Sequence, residues 1–266
     1  MENDNWGGLA RLGAFVVGSE VVPEAEWWAM APAGVSIHVA RVTAPTPWAQ
    51  WRADRSGVDL APDLERGAAQ FKSMRLSAAA IAHSSSSVAG GPGWDEAVIA
   101  RLKPLLHETT AVTTSGLDCE RALRRCGVAR PFIVFPPWFR EEGMRAGIDY
   151  FAARGFLEPQ PFRHAPERRW DNVRPEDLYK NFMHVQQRAD LLFEQIAANC
   201  PTTADGVLIV GTGLRCVGIL DALEARLGRP VISANQASLW RCLSLARVTT
   251  PIAGYGQLLS GPRDHC

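Results

Sequence analysis

Apolar runs of strand length recur at residues 12–17, 35–42, 78–82, 132–135, 207–210 and 230–233, and stretches with helical spacing lie between most of them, at 94–106, 119–126, 141–154, 175–198 and 214–227. Strands alternating with helices of this length predict βαβ units and parallel sheets, so the expected fold class is α/β. The clearest helix is 214–227, where Cys216, Leu220, Leu223 and Leu227 fall on one stripe, Gly228 supplies a C-cap and Pro230 blocks continuation. That stripe makes Cys216 a packing residue whose thiol points away from the preceding loop. Cys119 and Cys126, seven apart with Ala122 and Leu123 on the same side, are likewise expected to face the core.

Two junctions share a pattern. After the run 78–81 the chain reads Ala82-His83-Ser84-Ser85-Ser86-Ser87, and after Val207-Leu208-Ile209 it reads Val210-Gly211-Thr212-Gly213. A strand leading through small hydroxyl or glycine residues into a helix exposes backbone N–H groups at the positive end of the helix dipole, which suits an anion. Two such junctions predict a site built between two similar halves. Proline- and aromatic-rich pieces at 43–51 and at Phe135-Pro136-Pro137-Trp138-Phe139 read as loops, because each proline removes a donor and restricts its predecessor. The second follows a strand directly and so belongs at the same carboxyl edge, where open α/β sheets bind ligands.

With 266 residues, 47% hydrophobic, the chain can bury a full core as one unit or two lobes, and no low-complexity linker divides it. Its 28 basic and 28 acidic side chains cancel, which argues against a nucleic-acid backbone or an anionic membrane as partner. The start Met1-Glu2-Asn3-Asp4-Asn5 is polar and acidic rather than a secretion signal, and no stretch has the roughly 20 apolar residues of a membrane span, so a cytoplasmic location is expected. Six scattered cysteines without metal-type pairing, in a chain lacking such a signal, disfavour a disulfide framework. No role is assigned to His265-Cys266.

Several chemistries find no support. There is no glycine-rich phosphate loop ending in Lys-Ser or Lys-Thr, lysine occurring only at 72, 103 and 180. No G-x-S-x-G elbow or His-Glu-x-x-His spacing is present, nothing calls for a metal, and no cofactor is expected.

The order of these pieces resembles the aspartate/glutamate racemase superfamily, in the branch of maleate cis-trans isomerase and arylmalonate decarboxylase. The residues that carry it are 13–26 with 35–41, then 82–91, 113–134 and 211–240, above all Leu227-Gly228-Arg229-Pro230-Val231 followed by Ser233-Ala234-Asn235-Gln236-Ala237 and Trp240. The resemblance implies two flavodoxin-like lobes related by a pseudo-two-fold axis, with an active-site cleft between them. The expected division is residues 1–115 with 230–266 in one lobe and 116–229 in the other. Racemases and isomerases of the family place one cysteine in each repeated loop, so that thiols on both faces of a planar carbon exchange a proton or add to an alkene. The resemblance puts those cysteines at His83 and Gly211, so this chain lacks both, including the second-loop thiol on which the decarboxylases depend.

Glu20 stands where the family pattern has an asparagine that helps hold a substrate carboxylate, and an anionic side chain there disfavours a dicarboxylate unless protonated. Pro136-Pro137-Trp138 replaces a tyrosine or other aromatic residue after the third strand. The retained hydroxyls Ser84, Ser85 and Thr212, with the backbone of Gly211 and Gly213 and the Trp138 ring, are expected to contact the substrate and steady an oxyanion.

The resulting expectation is a cofactor-independent isomerase or lyase that moves a proton at the carbon beside a carboxylate or carbonyl. His83, near its ordinary titration range, is the expected acid/base, and Glu20 orients it or shares the proton. The serine run also reads as a polar turn capping a helix, and His83 as a strand-end hydrogen bonder. Two other functions stay open: a hydrolase or hydratase in which His83 or Glu20 activates water, and a non-catalytic small-molecule binding protein. The only partner called for is a small-molecule substrate, and because relatives often associate, a homo-oligomer is compatible with the reading.

Overall fold

The structure, a computed structural model, describes residues 4–261. Residues 1–3, and His265 and Cys266 at the other end, lie outside the described residues.

The first half runs β1 (Ala10–Val17), α1 (Val22–Met30), β2 (Val35–Val42), the short antiparallel pair β3 (Ala49–Trp51) and β4 (Val58–Leu60), α2 (Pro62–Met74), β5 (Ala78–Ile81), α3 (Ser84–Gly90), α4 (Trp94–Leu102), β6 (Ala111–Thr114) and α5 (Ser115–Arg125). The second half runs β7 (Pro131–Phe135), α6 (Glu141–Ala153), β8 (Gln160–Arg163), the one-turn α7 (Pro175–Leu178), α8 (Ala189–Asn199), β9 (Gly206–Ile209), α9 (Leu220–Leu227), β10 (Val231–Ser233), α10 (Ala234–Leu245) and α11 (Gln257–Ser260).

Each half forms a four-stranded, wholly parallel sheet, ordered β2-β1-β5-β6 in the first and β10-β9-β7-β8 in the second. Counted within its own half, each sheet has the strand order second, first, third, fourth. Both therefore reverse direction between their first and third strands, and such a switch point opens a crevice at the carboxyl edge. The α/β class and the paired parallel sheets expected from the apolar runs are present. β5, β7 and β9 are buried along their whole length, as strands covered on both faces require.

Several elements differ from the sequence reading. The edge strands β6 and β8 carry weak apolar signals; Pro161 is tolerated because β8 pairs on one side only. Helix 175–198 is broken: α7 ends at Leu178, Phe182 takes a left-handed φ of +61°, and helix resumes at Ala189. Helix 214–227 starts later than expected, with a 3-10 turn at Val217–Ile219 and α9 from Leu220, and the buried Glu26 side chain takes the N–H groups of Cys216 and Val217 at 2.6 and 3.0 Å. Its end is as predicted, with Gly228 left-handed and its N–H on the Glu224 carbonyl. Helix α10, missed by apolar spacing, carries a capping box in which Ser233 and Gln236 satisfy each other's backbone N–H groups.

β10 pairs with β9, so residues 231–233 belong to the second sheet and not to the first lobe in which the stretch from 230 was expected. α10 then packs on β1, β5 and β6 of the first sheet, while α5 packs on β9 and β10 of the second, and the two helices lie against each other. One continuous core consequently spans both sheets, from Leu12 and Ala80 to Ile133 and Leu208. A second cluster, including Phe15, Trp48, Phe71 and Trp94, covers the outer face of the first sheet. Cys119 and Cys216 are buried in the shared core, whereas Cys126 is half-buried.

Candidate active site

The carboxyl ends of β1, β5, β7 and β9 converge on one cavity of about 760 Å³, lined among others by Glu20, His83, Ser85, Trp138, Phe139, Arg140, Tyr179, Gly211, Thr212 and Gly213. Each strand contributes the loop that follows it, so both halves supply a first-strand and a third-strand loop.

Glu20 follows β1 in a tight turn whose N–H bonds back to the Val17 carbonyl. Arg41 pins that turn, donating to the Glu20 main-chain carbonyl at 2.7 Å and to the Glu24 carboxylate. The Glu20 side chain is 5% exposed, and its Oε2 accepts from the Thr212 hydroxyl at 3.0 Å across the cleft. Gly213 allows this approach, since a Cβ there would lie 2.6 Å from Glu20 Oε1. Burial pushes the Glu20 carboxyl up to about 7, against the opposing hydrogen bonds from Thr212 and Tyr179. A carboxyl held there has both its protonated and its ionised form within reach near neutral pH.

His83 differs from its expected state. Its ring is stacked on Trp48, centroids 4.3 Å apart, and Nδ1 lies 2.8 Å from Ser86 Oγ. Burial pushes the imidazole down to about 3, so it is neutral over the physiological range. Ser86 Oγ also accepts from the Trp48 main-chain N–H at 3.0 Å, and its own hydroxyl proton is free to be donated to Nδ1, in which case the ring proton sits on Nε2. A neutral imidazole in that tautomer can offer its Nε2 proton as a hydrogen-bond donor.

The serine run divides its work. Ser84 Oγ accepts from the Gly211 N–H at 3.3 Å and joins the two third-strand loops, Ser86 holds His83, and Ser87 Oγ accepts from the Gly116 N–H. Ser85 is the member that lines the large cavity; Ser84, expected to touch substrate, lines instead a small apolar void beside it. The anion site expected at two helix starts is reduced to one. α3 begins at Ser84, whereas residues 211–216 form turns and helix follows only at Leu220.

A buried network sets the second loop. Asn235 Nδ2 donates to Glu26 at 2.7 Å and to the Thr212 carbonyl at 2.9 Å, while Glu26 receives the Cys216 and Val217 N–H groups. Thr212 is thus positioned from α1 and α10 together. Sequence reasoning missed this pair, and also Tyr179, whose ring packs edge-on against Trp138 at 5.6 Å. Tyr179 lies in a stretch read as mid-helix, so nothing in its spacing marked it.

Cys119, Cys126, Cys200, Cys216 and Cys242 are free, and none lines the large cavity. Among the described residues no three His, Cys, Asp or Glu side chains are grouped to hold a metal ion, and no helix is long and apolar enough to cross a membrane.

Residues 181–259 match the family model described as arylmalonate decarboxylase. No curated protein matches the chain. Among solved structures, the maleate isomerase of Pseudomonas putida superposes with a TM-score of 0.78 at 21% identity, covering 95% of this chain and 98% of the other. The maleate cis-trans isomerase of Nocardia farcinica gives 0.72 at 18% identity, covering 94% and 98%. Arylmalonate decarboxylase gives 0.69 at 17% identity, with the same coverage. At these identities the likeness establishes the shared fold, two parallel sheets facing a common cleft.

Proposed function

We propose that the chain is an isomerase- or lyase-type enzyme acting on a small carboxylate or carbonyl compound, moving a proton at the adjacent carbon, with Glu20 carrying that proton. The observation behind this reading is the Glu20 carboxyl, buried against the cavity, held by Thr212 and poised at about 7. The folds of maleate isomerase and arylmalonate decarboxylase, and the partial family match, support the reaction class.

Proton abstraction beside a carboxylate or carbonyl, or loss of CO₂ from a malonate-like acid, leaves negative charge on the substrate oxygens. In this reading the neutral His83 and the Ser85 hydroxyl donate hydrogen bonds to those oxygens. Donors fixed before the reaction contribute roughly 3–4 kcal/mol each to lowering such a barrier. Glu20 then removes or delivers the proton at carbon. The roles of His83 and Glu20 are thereby exchanged relative to expectation, because burial moves their proton affinities in opposite directions. Trp138, Phe139 and Tyr179 offer an apolar wall, and the rim carries Arg140 together with Glu142 and Glu176. An ionised Glu20 repels a second carboxylate at its own position, so a substrate bearing a neutral or cationic group there is favoured over maleate.

The test is NMR in deuterated water with aryl- and alkylmalonates, 2-substituted monocarboxylates and 2-oxo acids, comparing the wild type with Glu20→Gln. Deuterium incorporation or product formation is expected to fall by about 10²–10⁴ in the variant. Turnover unchanged by Glu20→Gln would remove the proposal, and product carrying oxygen from labelled water would replace proton transfer with hydrolysis.

A further inference from the structure

The segment between β8 and α8 crosses the cleft instead of remaining over its own sheet. It is fastened to loops of both halves. Gln187 Nε2 donates to the Gly213 carbonyl at 2.7 Å, and Gln187 Oε1 accepts from the Arg215 N–H. Tyr179, from the same segment, reaches the turn after β1, where its hydroxyl lies 3.2 Å from Ser19 Oγ, next in sequence to Glu20, and it lines the same cavity as the Glu20 side chain. The ring is clamped, stacked face to face on His184 at 4.1 Å and edge-on to Trp138 at 5.6 Å. A tyrosine with its ring fixed on two sides has little freedom in where its hydroxyl points.

We propose that Tyr179 is a positioning residue, its hydroxyl held between Ser19 Oγ and the Glu20 carboxyl so that this carboxyl stays turned into the cavity. This rests on the reading of Glu20 as the proton carrier. Thr212 from the second half bonds this carboxyl at 3.0 Å, and Tyr179, anchored on the neighbouring Ser19, stands beside it in the cavity lining, so that a second hydroxyl is at hand to fix its orientation. A hydroxyl donating to the ionised carboxyl favours that form, so removing it leaves the carboxyl holding its proton to higher pH. Tyr179 also lines the cavity, so closing the cleft and aiming Glu20 are tasks of one side chain.

The experiment is a carboxyl ¹³C NMR titration of the full chain labelled at glutamate, in wild type, Tyr179→Phe and Ser19→Ala, with Glu20→Gln identifying the resonance. Tyr179→Phe keeps the stacked ring and loses only the hydroxyl; it is expected to raise the Glu20 midpoint by about half a pH unit or more. Ser19→Ala leaves Glu20 as the sole acceptor for the Tyr179 proton and is expected to lower it. A Glu20 midpoint unmoved by either substitution overturns the proposal. Because the readout needs no substrate, a Tyr179-dependent midpoint in a protein that turns over nothing would sink the proposed function and leave the positioning role intact.

Discussion

The Cγ of Pro136 lies 2.3 Å from where a Cβ on Gly211 would stand, and Gly211 itself has a φ of +86°. The proline after the first strand of the second sheet and the glycine after its third strand are therefore a matched pair. The space beside Gly211 is filled by Pro136, so the missing side chain makes room for protein and not for substrate. A thiol at residue 211 is incompatible with this wall twice over, through the backbone angle and through the proline ring.

Replacing Gly211 with alanine is accordingly expected to destabilise the fold by about 1–3 kcal/mol, from left-handed strain and overpacking together. Urea unfolding of Gly211→Ala, Pro136→Ala and the double variant measures it. Because the two residues touch, the double variant should recover part of the loss; strictly additive effects would show that the contact is not the cause.

Glu20 makes stability fall as pH rises. Its carboxyl is raised from 4.5 to about 7 in the folded state, so the stability tied to its protonated form is complete below 4.5 and is lost as pH climbs through 7. At about 1.4 kcal/mol per pH unit between 4.5 and 7, the loss totals about 3 kcal/mol and is complete above pH 7. Glu20→Gln, which cannot ionise, should match the wild type near pH 4 and exceed it by up to that amount at pH 8. Burial raises Glu26 and Glu224 in the same direction, and the wild-type-minus-variant difference isolates Glu20.

The two candidate proton-transfer groups make opposite predictions for rate against pH. With Glu20 as base, activity rises along an acid limb centred near 7. That limb persists in His83→Gln, at a rate lowered by roughly 10²–10³ through loss of an oxyanion donor. A limb that disappears with His83 and survives in Glu20→Gln would restore the roles expected from sequence.

The halves are also latched away from the cleft. Asp95 of α4, fully buried, receives the Tyr150 hydroxyl at 2.7 Å and faces Arg154 at 3.3 Å, both from the second half. Arg154 in turn lies 3.6 Å from the Tyr150 ring centroid and 3.1 Å from Glu120. Arg154→Met leaves a buried carboxylate without its cation and should cost about 3–5 kcal/mol, whereas Asp95→Asn together with Arg154→Met should cost much less. Thermal unfolding of the two variants at pH 7 decides this.

Much of the frame was legible in residue order. β5, β7 and β9 are short apolar runs bounded by turn residues, and they carry their signal in their own composition. The loops at residues 82–87 and 210–213 were legible for the same reason, and the structure brings them together through the Ser84–Gly211 bond. α10 was not read, because its start is signalled by Ser233 and Gln236, a capping pair that apolar periodicity does not capture. The edge strands, the broken helix and Tyr179 were not, because each depends on a neighbour distant in sequence. Phe182 leaves helical geometry in the segment that stacks Tyr179 on His184 and carries its hydroxyl to Ser19, 160 residues away.

By itself the sequence determined the α/β class, the alternation of strands and helices, and which loops would meet at a carboxyl edge, since these follow from local apolar pattern and turn chemistry. Tertiary structure alone set the proton affinities of the two candidate groups. Glu20 and His83 are each one ionisable residue at a strand end, and nothing local separates their behaviour. Burial beside Thr212 and Gly213 raises one carboxyl to about 7, and burial under Trp48 lowers one imidazole to about 3. A pKa is set by the solvent removed and the partners supplied, and both come from chain segments far away in the sequence.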